Sequence, residues 1–135
     1  YNTLVDAITA DKVDIALFGP FSYVLAEARC ELEPLLVRSK KEFGSFYHSV
    51  IIVKNSSSIA AVEQLKGKRV AFVNSASTSG FMIPAALFVS RNIEIESWFN
   101  YYFSGSHDKV VKDVLEGRAD AGACSITIFK RLVKN

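Results

Sequence analysis

The sequence predicts an α/β fold, and three observations carry that expectation. Short apolar, partly β-branched runs (VDIALF at 13–18, VIIV at 50–53, VAFV at 70–73) alternate with stretches of helical apolar spacing. From Leu65 onward the order reads strand, helix, strand, helix, strand, which is the pattern of a doubly wound sheet with helices on both faces. Half of the 135 residues are hydrophobic and 22% are charged, the balance of a chain that buries a core.

Taken in order, residues 2–11 read as a helix with Leu4, Val5 and Ile8 on one face, and Asp11-Lys12 as a turn. Val13–Phe18 reads as a strand stopped by Gly19-Pro20, and Phe21–Glu31 as a helix. Leu32–Arg38 is a second short strand, and Lys40–Ser45 is polar and turn-like. Phe46–Lys54 is a strong strand, Asn55–Ser58 a polar connector and Ile59–Leu65 a short helix. Val70–Val73 has the continuous apolar character of a strand buried on both faces. A small-residue loop, Asn74–Gly80, follows it, and Phe81 opens a mostly apolar helix with Pro84 in its tolerant first turn. Trp98–Phe103 is an aromatic strand whose alternation points to packing rather than to base or sugar stacking. His107–Glu116 is a helix striped by Val110, Val111, Val114 and Leu115. Ala119–Cys124 is a small-residue strand, and Ile126–Leu132 a final helix.

The loop Asn74–Gly80 carries the strongest chemical signal. The first N–H groups of a helix have no intrahelical acceptor, and the aligned peptide dipoles leave partial positive charge there. Ser77, Thr78 and Ser79 add three hydroxyls in a row, and Gly80 permits close backbone approach. That combination suits a tetrahedral oxyanion held without any Lys or Arg. The alternative is a serine-rich N-cap, although a cap needs only one hydroxyl.

Composition excludes several other classes. With 16 basic and 14 acidic residues the net charge is +2, and the basic residues are scattered, which leaves no nucleic-acid footprint. No apolar run approaches the roughly 20 residues needed to span a membrane, so no membrane insertion of this segment is expected. His48, His107, Cys30 and Cys124 are not at ligand spacing, so neither a metal site nor a cofactor is expected. The two cysteines, far apart in sequence, read as buried free thiols ahead of the alternative, a disulfide between them.

Three segments together are similar to one known family: DIALFGPFSYVLA at 14–26, KGKRVAFVNSASTSGFMIPAALF at 66–88 and GSHDKVVKDVLEGRADAGACS at 105–125. In that order and spacing the chain resembles the phosphonate/phosphite-binding periplasmic solute-binding proteins of ABC transporters, and the resemblance covers most of its length. It implies the two-lobed type II periplasmic-binding-protein fold, with part of lobe one in 1–54, a hinge strand at 46–54 and lobe two in 55–135. Cys30 and Cys124 then fall in different lobes. It also implies a longer protein of which this is a central excerpt, since the chain opens in mid-pattern at Tyr1 with no signal-peptide pattern. A periplasmic or extracytoplasmic location, a small oxyanion ligand and an ABC transporter permease as partner follow from the same resemblance.

Site residues divide by how they are reached. Ser77, Thr78, Ser79 and Gly80 come from the loop itself. His107, on the residues alone, is a solvent-exposed histidine beside an N-cap; the resemblance makes it the family's phosphonate-contacting histidine, whose charged form a bound anion would favour. Ser22 and Tyr23 place a hydroxyl and a phenol at a helix start suited to the far side of a cleft. The resemblance also puts an aromatic side chain near Phe18. Family members that bind aminoethylphosphonate hold its amine with a carboxylate just past the third strand of lobe two. Cys124–Ile128 has no acid there, which points to phosphonate, phosphite, phosphate or a small alkyl derivative. His48 reads as structural or incidental.

The expected function is therefore uptake binding of such an oxyanion between two lobes, with no catalysis. Two alternatives remain at this point: a ligand-sensing domain of a signalling protein, and a Ser/His hydrolase on the same architecture. The hydrolase lacks an acid placed to orient His107, and it lacks a Gly-x-Ser-x-Gly elbow.

Overall fold

In the computed structural model, residues 2–39, 44–46 and 48–133 are described. Four strands, β1 (Ser49–Val53), β2 (Arg69–Phe72), β3 (Asn100–Phe103) and β4 (Ala121–Ser125), form one sheet in the order β1-β4-β2-β3. β2 is parallel to β3 on one side and to β4 on the other, while β1 runs antiparallel along the outer edge of β4. Among the described residues, six helices accompany the strands: α1 (Asn2–Thr9), α2 (Pro20–Glu27), α3 (Ile83–Ser90), α4 (Ile95–Trp98), α5 (His107–Leu115) and α6 (Ile126–Val133). A 3-10 turn at Val62–Leu65 leads into β2, and a π-helical turn at Thr78–Met82 leads into α3.

Alternation along the strands sends side chains to two cores, one on each face of the sheet. Val70 and Phe72 point to the face covered by the 3-10 turn, α3 and α4, where they meet Leu65, Phe88, Ile95 and Phe99. Ala71 points to the other face and joins Val73, Val110, Val111, Val114 and Cys124 beneath α5. Phe72 is fully buried at the hub of an aromatic cluster, with Phe81 and Tyr101 rings at 5.2 and 5.8 Å and Phe88, Phe99 and Phe103 within 6.5 Å. The small residues of β4 have a packing reason. A Cβ on Gly122 would stand 2.6 Å from Val110 Cγ1, so only glycine lets α5 lie this close to the strand. Burial in β4 also pushes the Cys124 thiol up to about 12, and both cysteines are free.

The α/β class and the strand–helix alternation are as expected, with helices on both faces of a mixed sheet. Several elements differ. Val13–Phe18 and Leu32–Arg38 are extended but form no ladder among the described residues, and no second sheet forms there. A strand exists only where another backbone accepts its hydrogen bonds, and none of the described residues pairs with these segments. Ile15, Leu17, Leu35, Leu36 and Val37 are consequently between 66% and 93% exposed. The aromatic strand starts at Asn100, because Ile95–Trp98 closes a helical turn first. Cys30 is only half-buried. The strand read at Phe46–Lys54 is present as Ser49–Val53, just short of the boundary expected near Asn55, and it pairs along its whole length with β4. Residues 40–43 of the expected Lys40–Ser45 turn, and Tyr47 within that strand, lie outside the described residues.

Phe72→Ala is expected to remove about 3–5 kcal/mol of stability, the range for emptying a fully buried aromatic site. Urea unfolding measures it; a loss below about 1 kcal/mol would show that the cluster is not the core.

Candidate oxyanion site

The C-terminal ends of β2, β3 and β4 and the N-terminal end of β1 meet at one rim of the sheet. Ligands of open α/β sheets bind at such a rim. The loop after β2 is tightly determined there. The Asn74 side-chain oxygen accepts from the Ala76 N–H at 2.9 Å, and the Asn74 carbonyl accepts from the Ser77 N–H at 2.9 Å. Ser77 is the N-cap: its Oγ accepts from the Gly80 N–H at 3.1 Å, and its carbonyl accepts from both Phe81 and Met82. That shared acceptor produces the π turn. It leaves the N–H groups of Thr78 and Ser79, the first of the helical run, without an intrahelical acceptor by position. Gly80 is required, since a Cβ would stand 2.3 Å from Val73 Cγ2 and 2.8 Å from Ser77 Oγ.

A second helix start meets the first. The Phe21 N–H, in the first turn of α2, donates to Thr78 Oγ1 at 2.8 Å, and Ser22 Oγ donates to the Ala76 carbonyl at 2.9 Å. Thr78 Oγ1 thus takes the place an anion oxygen would occupy at the α2 N-terminus, and its own O–H remains a donor. Ser49 at the start of β1 fixes the loop from below, its Oγ donating to the Ser79 carbonyl at 2.7 Å.

A cleft of about 390 Å³ opens at this junction, lined by Thr78, Ser79, Ser49, Ser45 and His48, with Pro20, Phe46 and Ile83 as its apolar part. A second recess of about 340 Å³ lies at the opposite rim among Lys54, Lys68 and Asp120, away from both helix N-termini.

His107 heads α5 and is half-buried. Its Nδ1 accepts from the Ser125 N–H at 3.2 Å, so the neutral ring carries its proton on Nε2. Burial pulls its pKa below the usual histidine value, and the charge of Asp108 only partly offsets this. In this geometry, protonating Nδ1 would set N–H against N–H. Ser125 is the register partner of Ser49, which holds Ser79, so His107 connects to the serine loop across β4 and β1 without lining the cleft itself. A carboxylate anchors the turn ahead of it. Asp113 accepts from Ser104 Oγ at 2.6 Å and from Arg118 Nε at 2.7 Å. Burial alone would raise the Asp113 pKa, but hydrogen bonds from Ser104, Arg118 and Tyr102 and the Arg118 charge outweigh it and hold it low.

The sequence-derived residues therefore separate. Thr78 and Ser79 line the cleft; Ser77 and Gly80 shape the loop; Ser22 is buried with its hydroxyl bonded to the loop backbone. Tyr23 donates its phenol to Glu27 Oε1 at 2.7 Å on its own helix, and neither it nor Phe18 borders the cleft. Ser49, Phe46 and Ile83 were not picked out by the sequence reading, and His48, read there as structural or incidental, borders the cleft. Ser49 and His48 stand at the foot of a strand whose antiparallel direction, unreadable from sequence, brings them to the ligand rim.

The whole chain, residues 1–135, matches the profile of the family described as "ABC transporter, phosphonate, periplasmic substrate-binding protein", and the chain belongs to that family. It is 32% identical over 132 residues to the phosphate-import protein PhnD of Mycolicibacterium smegmatis, covering 90% of this chain and 41% of that protein. It is 28% identical over 143 residues to the probable ABC transporter phosphite binding protein PhnD1 of Prochlorococcus marinus, covering 100% of this chain and 48% of that one. The solved structure of the Prochlorococcus marinus protein in complex with methylphosphonate superposes with a TM-score of 0.87 at 27% identity, over 100% of this chain and 52% of that one. A binding protein component of an ABC phosphonate transporter from Pseudomonas aeruginosa shares the fold, with a TM-score of 0.86 at 22% identity over 98% of this chain and 45% of that one. The chain spans about half the length of the curated relatives it matches.

Because the His107 pKa is lowered on folding, the unfolded chain binds more protons at this group below its ordinary value of 6.5. Its contribution to stability is full above that value and is lost as pH falls toward the lowered folded value. Thermal unfolding between about pH 7.5 and 5.5 should therefore show a steeper loss in the parent than in His107→Gln. Parallel curves would mean that His107 does not titrate differently on folding.

Proposed function

We propose that this chain is the ligand-binding core of an ABC transporter substrate-binding component for a phosphonate, phosphite or phosphate-type oxyanion. The observation that carries the reading is the meeting of two helix N-termini at Thr78 beside a hydroxyl-lined cleft. Peptide N–H groups and hydroxyl donors from both sides suit three or more oxygens of one tetrahedral ion. The relatives bear on ligand class: one is named for phosphate import, one for phosphite binding, and the latter was solved with methylphosphonate. In this reading Thr78 and Ser79 donate to the anion, Ser77 and Gly80 hold the loop, and His107 supports the site as a neutral Nε2–H donor. Residues 1–54 then belong to lobe one, with 46–54 the hinge strand whose Ser49–Val53 stretch pairs with β4, and 55–135 to lobe two, and closure of the lobes on the ligand is read by a permease outside the cytoplasm.

The test is calorimetric titration of the full-length protein carrying this chain with methylphosphonate, phosphite, phosphate and aminoethylphosphonate. Saturable binding of at least one is expected; silence from all four with the protein folded overturns the reading. Thr78→Val should weaken the preferred anion by roughly 1–3 kcal/mol, the cost of removing one buried donor, and Thr78→Ser should restore most of it. Equal affinity in Thr78→Val removes Thr78 from the site.

A further inference from the structure

We infer that Asp113 is a positioning residue of the oxyanion site: through Ser104 it holds the turn between β3 and α5, and that turn holds the residue on which the serine loop closes. The inference rests on the oxyanion reading above and adds a residue to it. Asp113 stands where local physics least favours a carboxylate. It is 8% exposed, buried on α5 with Val110, Val111 and Val114, while Leu115 two residues on is 65% exposed. It also lies in the last turn of α5, where the helix dipole opposes a negative charge. A buried charge is costly unless it is fully bonded, and replacing a buried ion pair by apolar groups is often neutral or stabilising. A gain in stability is therefore a poor account of this carboxylate. The partners it holds give a better one.

The path to the site is short and continuous. One Asp113 oxygen accepts from Ser104 Oγ at 2.6 Å, and the other accepts from Arg118 Nε at 2.7 Å. The Asp113 carbonyl accepts from the N–H groups of Arg118 and Ala119 at 2.8 and 3.1 Å, so side chain and backbone are both held. Ser104 and Gly105 in turn donate their N–H groups to the carbonyls of Phe72 and Val73, each at 2.8 Å. Gly105 has φ of 88°, a conformation that favours glycine, and its neighbour's hydroxyl supplies the side-chain anchor that it lacks. Val73 is the junction. Its carbonyl takes the Gly105 N–H, and its own N–H donates to the Gly80 carbonyl at 3.1 Å, closing the loop that carries Ser77, Thr78 and Ser79. Gly80 also packs so tightly on the Val73 side chain that no Cβ fits between them, so a shift of Val73 is passed on to the loop.

The experiment is a double-mutant cycle read by anion affinity. The full-length parent, Asp113→Ala, Ser104→Ala, the double variant and Ser104→Thr are titrated with methylphosphonate, phosphite and inorganic phosphate. Urea unfolding checks that each variant is folded. Each alanine variant should bind the preferred anion roughly fivefold more weakly, the contribution of about one hydrogen bond. The double variant should stay within about twofold of the weaker single variant, because both substitutions cut one path. Ser104→Thr, which returns the hydroxyl, should recover most of the loss. The Gly80 and Gly105 amide resonances should shift in both alanine variants, a signature that lost stability alone does not give. If Asp113→Ala does not fold, Ser104→Ala decides by itself, since it removes only a half-buried hydroxyl. Folded alanine variants that bind as the parent does, or losses that add in the double variant, overturn the inference and leave the oxyanion reading standing. Silence from the parent with all three anions overturns that reading, and the inference with it.

Discussion

Because β2 has a parallel neighbour on each edge, its outgoing crossover and the one that passes back over it lie on opposite faces of the sheet. α3 takes one face on the way to β3, and α5 takes the other on the way to β4. The loop at the C-terminal end of β2 is where these paths part, so it is walled by helix starts and left open at the rim. Phe72 makes that arrangement rigid. With its ring at the centre of five others, β2 cannot shift along its axis without breaking a close-packed cluster, and the serine loop is attached directly to its end.

What could be read from the residues was whatever local periodicity and loop chemistry determine. The helix at His107 and the buried strand before Asn74 each rest on a few neighbouring residues, and each is where the sequence put it. What could not be read depends on partners remote in the chain. Val13–Phe18 has every local mark of a strand, yet a strand is a relation between two backbones, and none of the described residues supplies the second. The direction of β1 is equally non-local, and that direction decides that Ser49 rather than Lys54 stands beside the serine loop.

The three hydroxyls of the loop also illustrate why counting donors in a sequence overstates a site. Ser77 is committed to the cap, Thr78 accepts from the other helix while keeping its own proton, and Ser79 contributes at the rim with its carbonyl held by Ser49. A hydroxyl that accepts one hydrogen bond is polarised toward donating another. The contact between Phe21 and Thr78 therefore polarises the Thr78 hydroxyl as a donor. It also joins the segment carrying α2 to the sheet by one direct hydrogen bond and by Ser22 on the Ala76 carbonyl, an economical link between parts that share no strand.

On the proposed reading, the anion is met by peptide dipoles and hydroxyls, with no Lys or Arg among the described lining residues. Such a site has a specific physical character. A fixed ammonium attracts any anion and retains it by charge, whereas N–H groups and hydroxyls reward only oxygens at hydrogen-bonding distance and angle. Discrimination then comes from geometry and release remains feasible, both of which a carrier that must hand over its ligand requires. A neutral His107 fits the same logic. Burial and the Ser125 N–H both disfavour the imidazolium.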